Sequence, residues 1–163
     1  MQIAIFIGSD SDFEVIEGAV EILKEFDVPF LVEVTSAHRS PDRTLKLVQS
    51  FEKEGGEVVI AVAGKAAHLA GVVAAHTILP VIGVPVGGAE VNGFDALLST
   101  VQMPKGIPVA CMGIGKSGAV NAALLAVQIL SRKDESLRKK LINYRRDMAD
   151  QVERSSERIK EKL

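Results

Sequence analysis

The run Val28-Pro29-Phe30-Leu31-Val32-Glu33-Val34-Thr35-Ser36-Ala37-His38-Arg39-Ser40-Pro41 contains a strand, a polar turn and a helix start. Residues 28–34 are β-branched and apolar enough for a buried strand. Pro41 suits the first helical position, where a missing N–H costs nothing, and Ser40 before it reads as the cap. His38 and Arg39 therefore fall in a short loop at the carboxyl end of a strand, where α/β proteins bind ligands. A titratable imidazole beside a permanent cation fits proton transfer next to an anionic substrate. A solvated loop histidine with a surface arginine fits the same residues.

Upstream, Ile3-Ala4-Ile5-Phe6-Ile7 is a continuous apolar run closed by Gly8 and followed by the helix-capping cluster Ser9-Asp10-Ser11-Asp12. Phe13, Ile16, Val20, Leu23 and Phe26 then recur at helical spacing. Downstream, Leu45, Val48 and Phe51 mark a second helix ended by Gly55-Gly56. Val58-Val59-Ile60-Ala61-Val62-Ala63 reads as a third strand, and the small-residue stretch 64–71 opens a helix reaching about Thr77. Residues 80–86 form a fourth strand, with Pro80 at its start, and residues 94–101 a short helix. Residues 102–108 are irregular, 109–113 a fifth strand, 119–130 a very apolar helix.

Uniformly apolar strands alternating with helices indicate a parallel sheet covered on both faces, a three-layer α/β/α fold. Right-handed crossovers and five strands give a flavodoxin-like order, 2-1-3-4-5. That order makes strands 2, 1 and 3 neighbours, so the loops at 8–12, 35–40 and 64–71 converge on one crevice. A last helix from about Ser136 carries Leu137, Leu141, Tyr144, Met148 and Val152 on one narrow stripe. The whole chain, 1–163, reads as a single domain with helix 136–163 peripheral. The stripe suits packing on the domain's own flank or, at its far end, a subunit contact.

The chain's 163 residues suit one domain, with 47% hydrophobic and 25% charged residues, an ordinary globular balance. A formal net charge of -2 implies no attraction to nucleic acid. Residues 131–163 hold 11 Lys/Arg, but 7 Asp/Glu interleave with them, the pattern of a solvated helix rather than a basic arm. One cysteine, Cys111, permits no disulfide within the chain and favours a reducing compartment. The start lacks the basic flank and length of a signal peptide, and the uncharged run 66–86 is broken by His68, His76, Pro80 and Pro85. The expectation is a cytoplasmic protein with no membrane span.

The first loop offers hydroxyls and free N–H groups at a helix start, a favourable place for phosphate. Asp10 and Asp12 would repel phosphate, but a carboxylate suits the hydroxyls of a ribose. A ribose-phosphate ligand satisfies both, with Arg39 facing the phosphate; helix capping alone explains the same residues. The third loop places His68 among Gly and Ala, which let a planar ligand approach the backbone. A structural histidine is the other reading. His68 and His76 stand too far apart to share a metal, and His38 with Cys111 completes no ligand set. Gly113-Ile114-Gly115-Lys116-Ser117-Gly118 contains G-K-S but lacks the Gly five residues before the Lys, so ATP hydrolysis is not expected. Cys111, within an apolar strand, is a poor nucleophile.

Six ordered segments then carry a resemblance. They are Gly8-Ser9-Asp10-Ser11-Asp12, Ser36-Ala37-His38-Arg39-Ser40-Pro41, Ala66-Ala67-His68-Leu69, Leu79-Pro80-Val81-Ile82-Gly83-Val84-Pro85-Val86, Val101-Gln102-Met103-Pro104-Lys105-Gly106-Ile107-Pro108-Val109 and Asn121-Ala122-Ala123-Leu124-Leu125-Ala126. From the first strand to about Leu130 the chain resembles the class I carboxyaminoimidazole ribonucleotide mutases of de novo purine synthesis. That family is also known as the catalytic subunit of phosphoribosylaminoimidazole carboxylase.

The resemblance implies transfer of a carboxylate from the exocyclic nitrogen to the adjacent ring carbon of an aminoimidazole ribonucleotide, without ATP, metal or organic cofactor. It implies that Ser9, Asp12 and Arg39 hold the ribose-phosphate with Ser11 nearby, that His38 is the acid/base, and that His68 lines the base and carboxylate pocket. Ser36, Gly64, Ala66 and Leu69 complete the expected substrate contacts. It also implies a homo-octamer with sites at subunit contacts. Two departures stand out: Lys65 and Ala70 replace the Gly and Pro of many class I relatives, and the loop 87–93 is atypical. A class II relative, which carboxylates aminoimidazole ribonucleotide directly, usually has Lys in place of Arg39 and a different third loop. A non-catalytic nucleotide-binding module would need neither His38 nor His68.

Overall fold

Five successive apolar residues need cover on both faces, and in β1 (Ile3–Ile7) every residue is buried. The computed structural model of the chain describes residues 1–88 and 91–163; Ala89 and Glu90, inside the atypical loop 87–93, lie outside the described residues. β1 is flanked by β2 (Phe30–Val34) and β3 (Val58–Gly64), and β4 (Val81–Val86) and β5 (Ala110–Cys111) follow β3. The order is β2-β1-β3-β4-β5, parallel throughout, as the strand–helix alternation implies. Ile7 pairs with both Val34 and Val62, so the loops leaving β1, β2 and β3 start level with one another.

Helices cover both faces. On one, Val48 and Phe51 of α2 (Pro41–Lys53) and Leu69, Ala70 and Val73 of α3 (Leu69–Ala74) pack with Ala4, Phe6, Val59 and Ala61. α4 (Phe94–Val101) lies on the same side: a Cβ added at Gly83 would overlap the Thr100 methyl. On the other face, Ile3, Ile5, Val58 and Ile60 are fully buried, and α1 (Phe13–Glu25) meets α5 (Lys116–Leu130) at Gly18 and Val120. Each large side chain buried this way contributes about 1.5–3 kcal/mol.

Several local expectations shift. β2 is half-buried rather than buried, with Val34 46% exposed, because it is an edge strand with a neighbour on one side only. β5 spans two residues instead of 109–113. Met112 N–H still donates to Gly83 O (2.8 Å), but the next β4 residue facing that side is Pro85, which has no N–H to offer. α3 is shorter than 64–77, residues 65–68 being turn and coil, and α5 starts at Lys116 rather than Ala119. Ser40 occupies the cap position of α2, but its hydroxyl turns back to Ser36 and does not cap the helix.

The chain divides into two compact units, Met1–Val127 and Gln128–Leu163. The second holds α6 (Glu135–Lys160), started by Asp134, whose carboxylate accepts from Ser136 and Leu137 N–H. On its apolar stripe Leu137 and Leu141 are buried, while Met148 and Val152 are exposed. Among the described residues no helix is long and apolar enough to cross a membrane; the uncharged run 66–86 is divided between α3 and β4.

Candidate active site

The loop after β2 is held from within before it presents anything outward. Thr35 N–H donates to Ile7 O (2.9 Å), and the buried Thr35 and Thr44 hydroxyls lie 2.7 Å apart. Thr44 spends its hydrogen on Ser40 O (3.2 Å), which makes Thr35 the donor between the two. Ser36 N–H donates to Ser40 Oγ (3.0 Å), and Ser36 Oγ accepts from Arg39 N–H (3.2 Å). Arg43 Nε donates to Val34 O (3.2 Å) while its Nη2 pairs with Glu33 (2.7 Å), tying α2 to the end of β2. The turn at 37–39 is thereby fixed, and the His38 and Arg39 side chains project from it.

His38 reaches the loop after β3. Its Nε2 lies 2.8 Å from His68 Nδ1, with ring centroids 4.8 Å apart and planes at 74°. One hydrogen occupies that bond, so one ring donates and the other accepts. In the neutral pair the outer nitrogens, His38 Nδ1 and His68 Nε2, are therefore one acceptor and one donor. Those roles are exchanged when the outer acceptor nitrogen takes up a proton, the shared proton passes along the bond and the outer donor releases its own.

Arg39 crosses to β1, its Nη2 donating to Gly8 O (2.9 Å). There residues 10–12 form a 3₁₀ turn running into α1. Ser9 N–H donates to Asp12 Oδ2 (3.1 Å), and the hydroxyls of Ser9 and Ser11 lie 2.9 Å apart. Burial pushes the Asp12 carboxyl above the ordinary aspartate value; the Ser9 N–H opposes it, Asp10 adds to it and Arg39 opposes it. The site thus has hydroxyls, a partly desolvated carboxylate and a guanidinium within one patch.

These loops enclose a cleft of about 590 Å³. Ser9, Ser11 and Asp12 line it from the first loop, Ser36, His38 and Arg39 from the second, and Gly64, Ala66, His68 and Leu69 from the third. The ten residues expected at the substrate site are thus brought together, whereas Asp10 of the first loop is not among the cleft's lining. A further wall, Val86, Gly87 and Gly88 at the end of β4, was not anticipated, although β4 lies beside β3 in the expected order. Lys65, singled out only as a departure, also lines the cleft.

Other candidates lie elsewhere. His76 follows α3 and lines a separate hollow with Glu52 and Ile78. Cys111 is half-buried in β5, and burial raises its thiol, which keeps it protonated. Lys116 of the G-K-S sequence pairs with Glu14 (2.6 Å) on the surface; that hydrogen bond lowers the Glu14 carboxyl and raises the Lys116 ammonium. Among the described residues no three His, Cys, Asp or Glu side chains converge as metal ligands would.

Comparison with known proteins places this geometry in context. The AIR carboxylase family model matches residues 2–151. The N5-carboxyaminoimidazole ribonucleotide mutase of Methanocaldococcus jannaschii is 53% identical over 159 residues, 98% of each chain. Those of Escherichia coli K12 and Bacillus subtilis are each 50% identical, over 93% and 96% of this chain and 89% and 97% of their own. Among solved structures, the crystal structure of Treponema denticola PurE matches with a TM-score of 0.88 at 25% identity, covering 96% of this chain and 97% of that one.

Proposed function

The chain belongs to the AIR carboxylase family, and from that premise we propose that it is an enzyme of purine biosynthesis, an N5-carboxyaminoimidazole ribonucleotide mutase whose proton carriers are His38 and His68. The observation that carries the assignment of residues is the 2.8 Å bond between the two imidazoles inside the cleft.

The reaction needs a proton twice, in opposite directions. When the nitrogen–carboxylate bond breaks, its electron pair stays on nitrogen, which takes a proton as carbon dioxide departs. When the ring carbon attacks that carbon dioxide, the new carbon–carbon bond leaves a proton on the ring carbon for a base to remove. The group that gave the first proton recovers one in the last step, so no net proton is consumed. A histidine pair that exchanges donor and acceptor ends meets both demands near neutral pH. Carbon dioxide must stay put between the steps, and the small apolar wall of Ala63, Gly64, Ala66 and Leu69 suits its retention. Ser9, Ser11, Asp12, Ser36 and Arg39 hold the ribose-phosphate of the ribonucleotide substrate.

The chain works as a homo-octamer in the cytoplasm, with α6 at subunit contacts; the exposed end of its apolar stripe and the free Cys111 thiol support this. The test of function is to offer purified protein each nucleotide without ATP. The N-carboxylated ribonucleotide turns over rapidly, and aminoimidazole ribonucleotide with bicarbonate is used poorly. The reverse preference overturns the mutase in favour of a direct carboxylase.

A further inference from the structure

Lys65 stands at φ 56°, a left-handed conformation that side chains bearing a Cβ rarely adopt. Strain of this kind persists where surrounding structure or function holds it, and Lys65 lines the active cleft three residues before His68. Its side chain is exposed, and among the described residues it has no hydrogen-bond or ion-pair partner. Among the described residues, the Asp, Glu, Lys and Arg side chains that line the cleft are Asp12, Arg39 and Lys65. Arg39 is tied to Gly8 O at the β1 end, beside the Ser9 and Ser11 hydroxyls. Lys65 leaves the end of β3, the strand between β1 and β4, and shares the cleft wall with Gly87, Gly88 and the apolar Ala63 and Ala66. The two cations therefore start from different strands, and a ligand carrying phosphate and carboxylate has two anionic ends to match.

Resting on the mutase reading, we propose that Lys65 binds the migrating carboxylate and so makes the cleft selective for carboxylated over uncarboxylated ribonucleotide. A compact ammonium on a flexible stem suits this better than a planar fork, because the carboxylate sits on nitrogen in the substrate and on the neighbouring carbon in the product. The contact belongs to binding of the two carboxylated states and not to the uncharged carbon dioxide between them.

The experiment compares calorimetric affinities of 4-carboxy-5-aminoimidazole ribonucleotide and aminoimidazole ribonucleotide for the wild type and for Lys65→Gln, Lys65→Gly and Lys65→Arg. Loss of a charged hydrogen bond weakens the carboxylated nucleotide about tenfold or more in Lys65→Gln and Lys65→Gly. Aminoimidazole ribonucleotide stays within about twofold, since it lacks the group Lys65 recognises. Lys65→Arg keeps most of the discrimination. Lys65→Gly relieves the left-handed backbone, so its loss of discrimination reads as loss of the ammonium rather than of the fold. Equal weakening of both nucleotides makes Lys65 a phosphate contact and overturns the proposal, as does no change in either. A wild type that binds neither nucleotide overturns the mutase reading itself. A wild type that turns over, with discrimination unchanged in Lys65→Gln, overturns only the role of Lys65.

Discussion

His38 and Arg39 are adjacent in sequence yet reach different walls of the cleft. The His38 ring bonds His68 across the third loop, and the Arg39 guanidinium bonds Gly8 O at the end of β1. Replacing His38 with Asn keeps a polar group of similar reach but removes the titratable nitrogen. Single-turnover rates should fall about 10²–10⁴-fold, the usual contribution of acid/base catalysis, while calorimetric affinity for the ribonucleotide survives. Arg39→Ala should show the opposite emphasis, weakening binding by about 1.5–3 kcal/mol through loss of a charged hydrogen bond. Near-normal turnover in His38→Asn would transfer the proton step to His68 or to the substrate.

Behind those side chains, α2 and β2 are fastened by the Thr35–Thr44 hydroxyl pair, 2% and 0% exposed. Thr44→Val leaves the Thr35 hydroxyl buried without its acceptor, a loss of about 1–3 kcal/mol by denaturant unfolding. Removing both hydroxyls together, Thr35→Val with Thr44→Val, should cost less than Thr44→Val alone, because no polar atom is then stranded. A double variant as unstable as the sum of the single ones would show that the two hydroxyls act independently. The strands and their order were readable because each core strand is uniformly apolar, and the order in turn brought His38, Arg39, Ser9 and His68 toward one crevice. What could not be read were effects of partners distant in sequence. The His38–His68 bond spans 30 residues, and β5 ends early because a proline lies in β4, not because of its own composition. The irregular stretch 65–68 was hidden by Ala66 and Ala67, which suit a helix equally well. Val86 and the glycines after it carry no chemistry of their own, so only the sheet order could have placed them at the site.

For the whole molecule, the second unit raises the question of assembly. Met148 and Val152 on α6 are 51% and 70% exposed, in line with the buried Leu137 and Leu141. A charge at this exposed position leaves buried positions untouched, so Val152→Glu should fold normally and lower the mass measured by light scattering if the stripe joins subunits. A wild type with monomeric mass at micromolar concentration would contradict the octamer. The margins of the sheet bear on a different property. On one side β5 offers only Ala110 and Cys111, too little backbone to template another strand. On the other, β2 is preceded by Pro29, Val34 O is taken by Arg43, and Glu33 carries charge along the edge. Runaway pairing from sheet to sheet, the route by which β-rich chains grow into fibrils, is obstructed at both ends. The proposed octamer can therefore bring its copies together through side chains without their sheets fusing.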